Sequence, residues 1–217
     1  MSNLIPDVGF TNNTEQRTPC VLVLDGSFSM IGEPINQLNS GLCELEAQLK
    51  GDPVASVRVQ LLVIQVGSDA NIISDWCDAI DFSAPRIVVD GLTALGSGMS
   101  LALDSIESQK QVYKNNGIPY LRPWIFMISD GMPTDAGWEY VAENCRNAED
   151  NKKVTIFPIG TEDADMSALG KFSNNRALTL QGLQFNQLFT WLSQSVSSAS
   201  IASPGEQIAL PQTTIFQ

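Results

Sequence analysis

The stretch Val21-Leu22-Val23-Leu24-Asp25-Gly26-Ser27-Phe28-Ser29-Met30 decides how the chain folds. Four consecutive apolar residues predict a strand buried on both faces, as in a parallel sheet covered by helices. They run straight into oxygen-bearing side chains with a glycine among them, so polar chemistry falls at the strand's carboxyl end. Open α/β sheets hold their ligands there, in the crevice where the loops fan apart. Asp25, Ser27 and Ser29 alternate, and their oxygens converge if the loop curls. Hard oxygens with no imidazole or thiol beside them suit Mg²⁺ or a related cation such as Ca²⁺ or Mn²⁺.

Outward from this stretch, strands and helices alternate. Residues 33–50 carry Ile35, Leu38, Leu42, Leu45 and Leu49 at spacings of three and four, which predicts an amphipathic helix ended by Gly51-Asp52-Pro53. Residues 57–66 and 72–80 are strands joined by Gly67-Ser68-Asp69, a turn short enough to make the pair antiparallel. After a brief extended piece at 87–89 comes a second polar crossing, Asp90-Gly91-Leu92-Thr93-Ala94-Leu95-Gly96-Ser97-Gly98. Its glycines predict a tightly turned loop ahead of a helix over 99–114.

Residues 122–129 form a third buried strand, ending in Asp130-Gly131-Met132-Pro133-Thr134-Asp135 and repeating the logic of the first. Then follow a helix over 137–152, a core strand over 154–160, a short helix over 165–172, a short strand over 177–180 and a last helix over 185–196. The order predicts an α/β, three-layer Rossmann-like fold: a mostly parallel central sheet with one antiparallel edge strand and helices on both faces. Loops after three of its strands then meet on one edge.

With 217 residues the chain is long enough for one large domain. The expected organisation is an irregular lead-in at 1–19, the domain at 20–196 and a polar tail at 197–217 that is mobile or lies along the surface. Twelve basic against 24 acidic residues give a net charge of −12, which repels nucleic acid and anionic membrane. No histidine is present, so the commonest general base and the commonest transition-metal ligand are both missing. Cys20, Cys43, Cys77 and Cys145 lie far apart without a CxxC pair and are expected to be small buried hydrophobes. No basic-then-apolar leader and no run of apolar residues long enough to span a bilayer is evident, so a reducing cytoplasm is the expected setting.

Asp25-x-Ser27-x-Ser29, Thr93 and Asp130-Gly131, taken in order, resemble the metal-ion-dependent adhesion site of von Willebrand factor A domains. The resemblance runs from about Cys20 to Val196. The wording Ser129-Asp130-Gly131-Met132-Pro133-Thr134-Asp135, with Glu33-Pro34-Ile35 and Arg122-Pro123-Trp124, looks more specifically like the small bacterial TerY-like proteins associated with tellurite resistance. The resemblance implies a metal site in which Ser27 and Ser29 ligate directly and Thr93 directly or through water, while Asp25 and Asp130 act through bridging waters and hydrogen bonds. It also implies a non-catalytic module whose cation accepts an Asp or Glu of a protein partner, with a kinase and a phosphatase of a bacterial stress system as partners. Phe28 departs from the pattern, standing where many relatives have a small residue.

Other readings of these residues are blander or chemically different. Thr134 and Asp135 are expected to cap the helix that follows them. Phe28, Met30, Met99 and Met132 form either an apolar rim or core filling. Gly96-Ser97-Gly98 lacks the lysine a phosphate-binding loop requires. A phosphohydrolase using Asp25 as nucleophile would need a second Asp two residues on, where Ser27 stands. A phospho-acceptor switch would need paired acids before the metal and a lysine at a later strand end, and Phe157-Pro158-Ile159-Gly160 offers none.

Overall fold

The computed structural model describes residues 13–201 and 210–216. Among these residues six strands form one sheet: β1 (Thr18–Asp25), β2 (Val59–Val66), β3 (Ala70–Asp78), β4 (Trp124–Ser129), β5 (Thr155–Gly160) and β6 (Leu178–Thr179). Their order across the sheet is β3-β2-β1-β4-β5-β6, and every pairing is parallel except β2 with β3. The helices are α1 (Glu33–Gly51), α2 (Ala55–Arg58), α3 (Leu95–Asn116), α4 (Trp138–Asp150), α5 (Met166–Leu169) and α6 (Phe185–Ile201).

The central strands explain the three layers. Along β1, Cys20, Leu22 and Leu24 enter one core with the apolar faces of α1 and α6, while Val21 and Val23 enter a second core with α3 and α4. β4 does the same, sending Trp124, Phe126 and Ile128 to the first core and Ile125 and Met127 to the second. Side chains alternate along a strand, so a continuous apolar run is what a strand with helices on both faces requires. The α/β architecture expected from the sequence is therefore the one observed.

From β1 the chain moves to β2 on one side and later to β4 on the other. This change of direction opens a crevice at the carboxyl ends of β1 and β4. Pro158 of β5 opposes Met127 of β4, but β5 meets β6 only from Ile159 onward, so the missing amide falls where no second neighbour needs it.

Several boundaries differ from expectation. β3 begins at Ala70, two residues earlier than expected, and α3 begins at Leu95 rather than at 99. Gly96 and Gly98 lie inside the first turns of α3 because the helix is pressed close to its neighbours. A Cβ on Gly96 would meet Asp135 and Trp138 at 2.8 Å, and one on Gly98 would meet Val66 at 2.6 Å. α6 continues through Ile201, beyond the expected end at 196. Much of the expected lead-in, residues 1–12, and part of the expected tail, residues 202–209 and 217, lie outside the described residues. Residues 210–216 return to the domain: Ile215 is buried, Gln181 N donates to Ile215 O at 2.8 Å, and Phe216 forms an antiparallel bridge with Leu180. Trp191 Nε1 of α6 donates to Pro211 O at 2.9 Å.

Candidate metal centre

Asp25, the last residue of β1, is fully buried. The register of β1 on β4 sets Leu24 against Ile128, which brings Asp25 beside Ser129. The Ser129 hydroxyl donates to one carboxylate oxygen of Asp25, and Ser27 N donates to the other at 2.8 Å. A single 3₁₀ turn at Phe28–Met30 then curls the loop, anchored by Met30 in the core. This curl converts alternation into convergence. Ser27 Oγ lies 2.9 Å from Ser29 Oγ, and Ser29 donates to Asp130 Oδ1 at 2.7 Å. The first and third loops thus meet side chain to side chain.

Thr93 comes from the loop between them. Phe28 N donates to Gly91 O at 2.9 Å, tying this loop to the first. Thr134 N donates to Thr93 O at 2.9 Å and Thr93 N donates to Thr134 Oγ1 at 3.1 Å, tying it to the third. Thr93 is buried, and its Oγ1 lies 3.5 Å from where a Cβ would stand on Gly131; Ser29 Oγ lies 3.9 Å from the same point. Both hydroxyls therefore overhang Gly131. Among the described residues the Thr93 hydroxyl has no hydrogen-bond partner. All five oxygen-bearing residues singled out in the sequence share one edge of the sheet.

Electrostatics at this edge is unbalanced. Burial pushes the Asp25 carboxyl above the ordinary carboxylate range, against the hydrogen bonds from Ser129 and Ser27. Burial likewise pushes Asp130 up, partly offset by its bond from Ser29, and the nearby charges of Asp25 and Asp163 add to the rise. Two acids held together with three neutral hydroxyls are short of positive charge. Among the described residues no three of His, Cys, Asp and Glu gather into a metal cage, so a cation here would be held mainly by neutral oxygens. Such a donor set fits a hard divalent cation.

The family model for the von Willebrand factor type A domain matches residues 20–190. The chain belongs to that family.

Among curated proteins none matches this von Willebrand factor A (VWA) chain significantly. Solved structures share its fold at low identity. A von Willebrand factor type A protein from Catenulispora acidiphila is 12% identical with a TM-score of 0.61, over 84% of this chain and 43% of its own. Proximal thread matrix protein 1 from the mussel byssus, in a form with a zinc-occupied MIDAS motif, is 16% identical with a TM-score of 0.61, over 85% and 49%. The pilus adhesin SpaC from Lactobacillus rhamnosus GG is 11% identical with a TM-score of 0.67, over 86% and 32%. This VWA chain spans less than half the length of each of the three.

Two details of the VWA site differ from the sequence expectation. Thr134 and Asp135 do not cap the helix that follows them; Gly137, with a left-handed backbone, stands at the N-cap of α4. Asp135 instead accepts from Gly96 N at 3.1 Å and from Ser97 N and Ser97 Oγ at 2.7 and 3.0 Å, capping α3 from another loop. Thr134 holds Thr93 in the same way. Ser129 supports the candidate site although the motif residues do not include it. It donates to Asp25 and accepts from Gly131 N at 3.2 Å, bracing one acid and the glycine beside the other. Only the strand register reveals that role.

Proposed function

We propose that this VWA domain is a non-catalytic, divalent-cation-dependent protein-binding module. The observation carrying the reading is the side-chain relay Ser27–Ser29–Asp130, with the unpartnered Thr93 hydroxyl overhanging the same glycine. Ser27, Ser29 and Thr93 would hold the cation through their hydroxyls, and Asp25 and Asp130 would support it through hydrogen bonds and water. Mg²⁺ is the proposed cation, with Ca²⁺ or Mn²⁺ as substitutes. Neutral oxygens leave such an ion under-neutralised, and the chemistry it supplies is an open position for an Asp or Glu of a protein partner.

The state of Asp25 favours docking over turnover. A nucleophile must present a free oxygen to substrate, whereas both carboxylate oxygens of Asp25 are engaged and the residue is fully buried. The resemblance of the Ser129-to-Asp135 wording to TerY-like proteins supports a setting in a bacterial stress or tellurite-resistance system, with a kinase and a phosphatase as partners. Among the described residues no helix is long and apolar enough to cross a membrane.

The test is calorimetric titration of the purified chain with MgCl₂, MnCl₂ and CaCl₂. One binding event per chain that vanishes in the Ser27→Ala, Ser29→Ala double variant is the expected result. Unchanged uptake by that variant would sink the proposal, as would steady hydrolysis of a generic phosphoester by the wild type.

A further inference from the structure

The metal edge is rimmed by large apolar side chains facing solvent. Phe28, Ile31, Leu92 and Met132 are each between 55 and 62% exposed. Each lies within two residues of one of the five oxygen-bearing residues, and together they come from all three loops. Single exposed apolar residues need no explanation, but a group gathered around one polar centre marks an interaction surface.

Local structure fixes this rim in place. In the 3₁₀ turn Met30 is buried, while Ile31 N donates to Phe28 O at 3.2 Å. Residues three apart in such a turn eclipse one another, so Phe28 and Ile31 stand on the same outward side. The bond from Phe28 N to Gly91 O sets the Leu92 loop alongside, and the Thr134–Thr93 backbone bond does the same for the loop of Met132. A rim held by backbone hydrogen bonds loses little freedom when something settles on it.

Charge narrows what can settle there. The chain carries a net charge of −12, and Asp163 lies close enough to Asp130 to influence it. A partner rich in acids would be repelled everywhere except at the cation itself. We infer that the partner's docking element is a segment in which a single Asp or Glu stands between large apolar residues. Its carboxylate meets the cation over Ser27, Ser29 and Thr93, and its apolar neighbours lie on Phe28, Ile31, Leu92 and Met132. This inference rests on the metal-dependent reading of the site and adds the chemistry of the flanking residues.

Three synthetic peptides test it: Gly-Leu-Asp-Leu-Gly, Gly-Ser-Asp-Ser-Gly and Gly-Leu-Asn-Leu-Gly, with capped ends. Binding is read from amide shifts of the isotope-labelled protein in Mg²⁺ and in EDTA, and Mg²⁺ uptake by the protein alone is measured alongside. The leucine-flanked Asp peptide is expected to bind about tenfold more tightly than the serine-flanked one, from partial burial of two leucines. The Asn peptide is expected not to bind, and EDTA to abolish binding of both Asp peptides. Phe28→Ser combined with Leu92→Ser should erase the difference between the two Asp peptides. Equal affinity of those peptides for a Mg²⁺-loaded wild type overturns the inference while leaving metal binding intact. Absence of Mg²⁺ uptake, or peptide binding indifferent to EDTA, overturns the metal reading and the inference with it.

Discussion

Asp135 caps a helix that is not its own: its carboxylate accepts from Ser97 N at 2.7 Å and from Ser97 Oγ at 3.0 Å, 38 residues back along the chain. One side chain thereby joins the loop after β4 to the start of α3, immediately beyond Thr93. The stability of α3 and the placement of the Thr93 hydroxyl therefore depend on the same contact.

Asp135→Ala should then do two things at once. Removing an N-cap acceptor costs about 1 kcal/mol, visible as a lower midpoint in urea unfolding. Mg²⁺ affinity should fall several-fold as well, although Asp135 is not among the proposed ligands. Normal metal uptake by a destabilised variant would show that the cap serves the helix alone.

The pH dependence follows from burial of Asp25 and Asp130. Both carboxyls sit above the ordinary carboxylate range in the folded state, so without a cation the folded protein keeps their protons to higher pH than the unfolded chain does. Stability falls with rising pH wherever the folded state binds more protons. In EDTA these two groups therefore weaken the fold as pH climbs from the ordinary carboxylate value through their raised values. Bound Mg²⁺ would need the deprotonated acids and so should reverse the trend, and its uptake should fade on acidification before an exposed carboxylate would titrate. Thermal midpoints of wild type and Asp25→Asn, with EDTA and with Mg²⁺, measure the difference. A wild-type curve in EDTA that parallels Asp25→Asn at every pH would contradict it.

Thiol chemistry probes the packing of both cores. Burial pushes the Cys145 thiol up to about 12 and Cys20 further still. At about pH 8 only about one Cys145 in ten thousand would be a thiolate, the form that reacts. Contrary to the burial expected of all four cysteines, Cys43 is exposed on α1, on its solvent-facing side, and Cys77 is only half-buried. Native protein treated with iodoacetamide should take label at Cys43, slowly at half-buried Cys77, and at Cys20 and Cys145 only after denaturant is added. Mass-mapped peptides report the order.

Stability also has a source remote from the candidate metal site. Near the start of β2, Gln60 Oε1 accepts from Tyr113 Oη at 2.5 Å and from Gln109 Nε2 at 3.0 Å, and Gln60 Nε2 donates to Asp78 Oδ1 at 2.6 Å. Gln60→Leu breaks all three bonds in a buried network and should destabilise the domain by about 3 kcal/mol. Mg²⁺ affinity of the folded fraction should not change, because Gln60 lies toward the other end of the sheet. Chemical denaturation and metal titration of the same sample separate the two effects.

Much of this was legible in the sequence. The apolar runs of β1 and β4 and the three-and-four spacing of α1 follow from burial patterns confined to a few residues. The five oxygen-bearing residues could be singled out because they fall in the loops that follow buried strands or precede a helix. What escaped depends on partners far along the chain. Gly96 and Gly98 look like loop residues until Asp135, Trp138 and Val66 crowd against them. Asp135 looks like a local cap because the helix it caps precedes it. Ser129 becomes a brace for Asp25 only through the β1–β4 register. Of the four residues weighed as rim or core, Met30 and Met99 are buried while Phe28 and Met132 are exposed, and Ile31 and Leu92 join them. Hydropathy alone does not sort one methionine from another.

The Leu180–Phe216 bridge has a consequence for self-association. β6 is only two residues long and would leave much of β5 as an open template for another chain's backbone. Ile215 and Phe216 pair just past β6, at Gln181 and Leu180, with Phe216 edge-on to Trp191 at 5.0 Å, and on β5 Ile156 N and O are taken by the side chains of Glu149 and Ser173. At the opposite border the pairing of β3 with β2 is interrupted by register irregularities, and exposed Asp75 lies on β3, while Asp78 is taken up by Gln60, Asn13 and Arg17. One border is thus occupied by the molecule's own side chains and C-terminal segment, and at the other distortion and Asp75 disfavour pairing with a second chain's backbone.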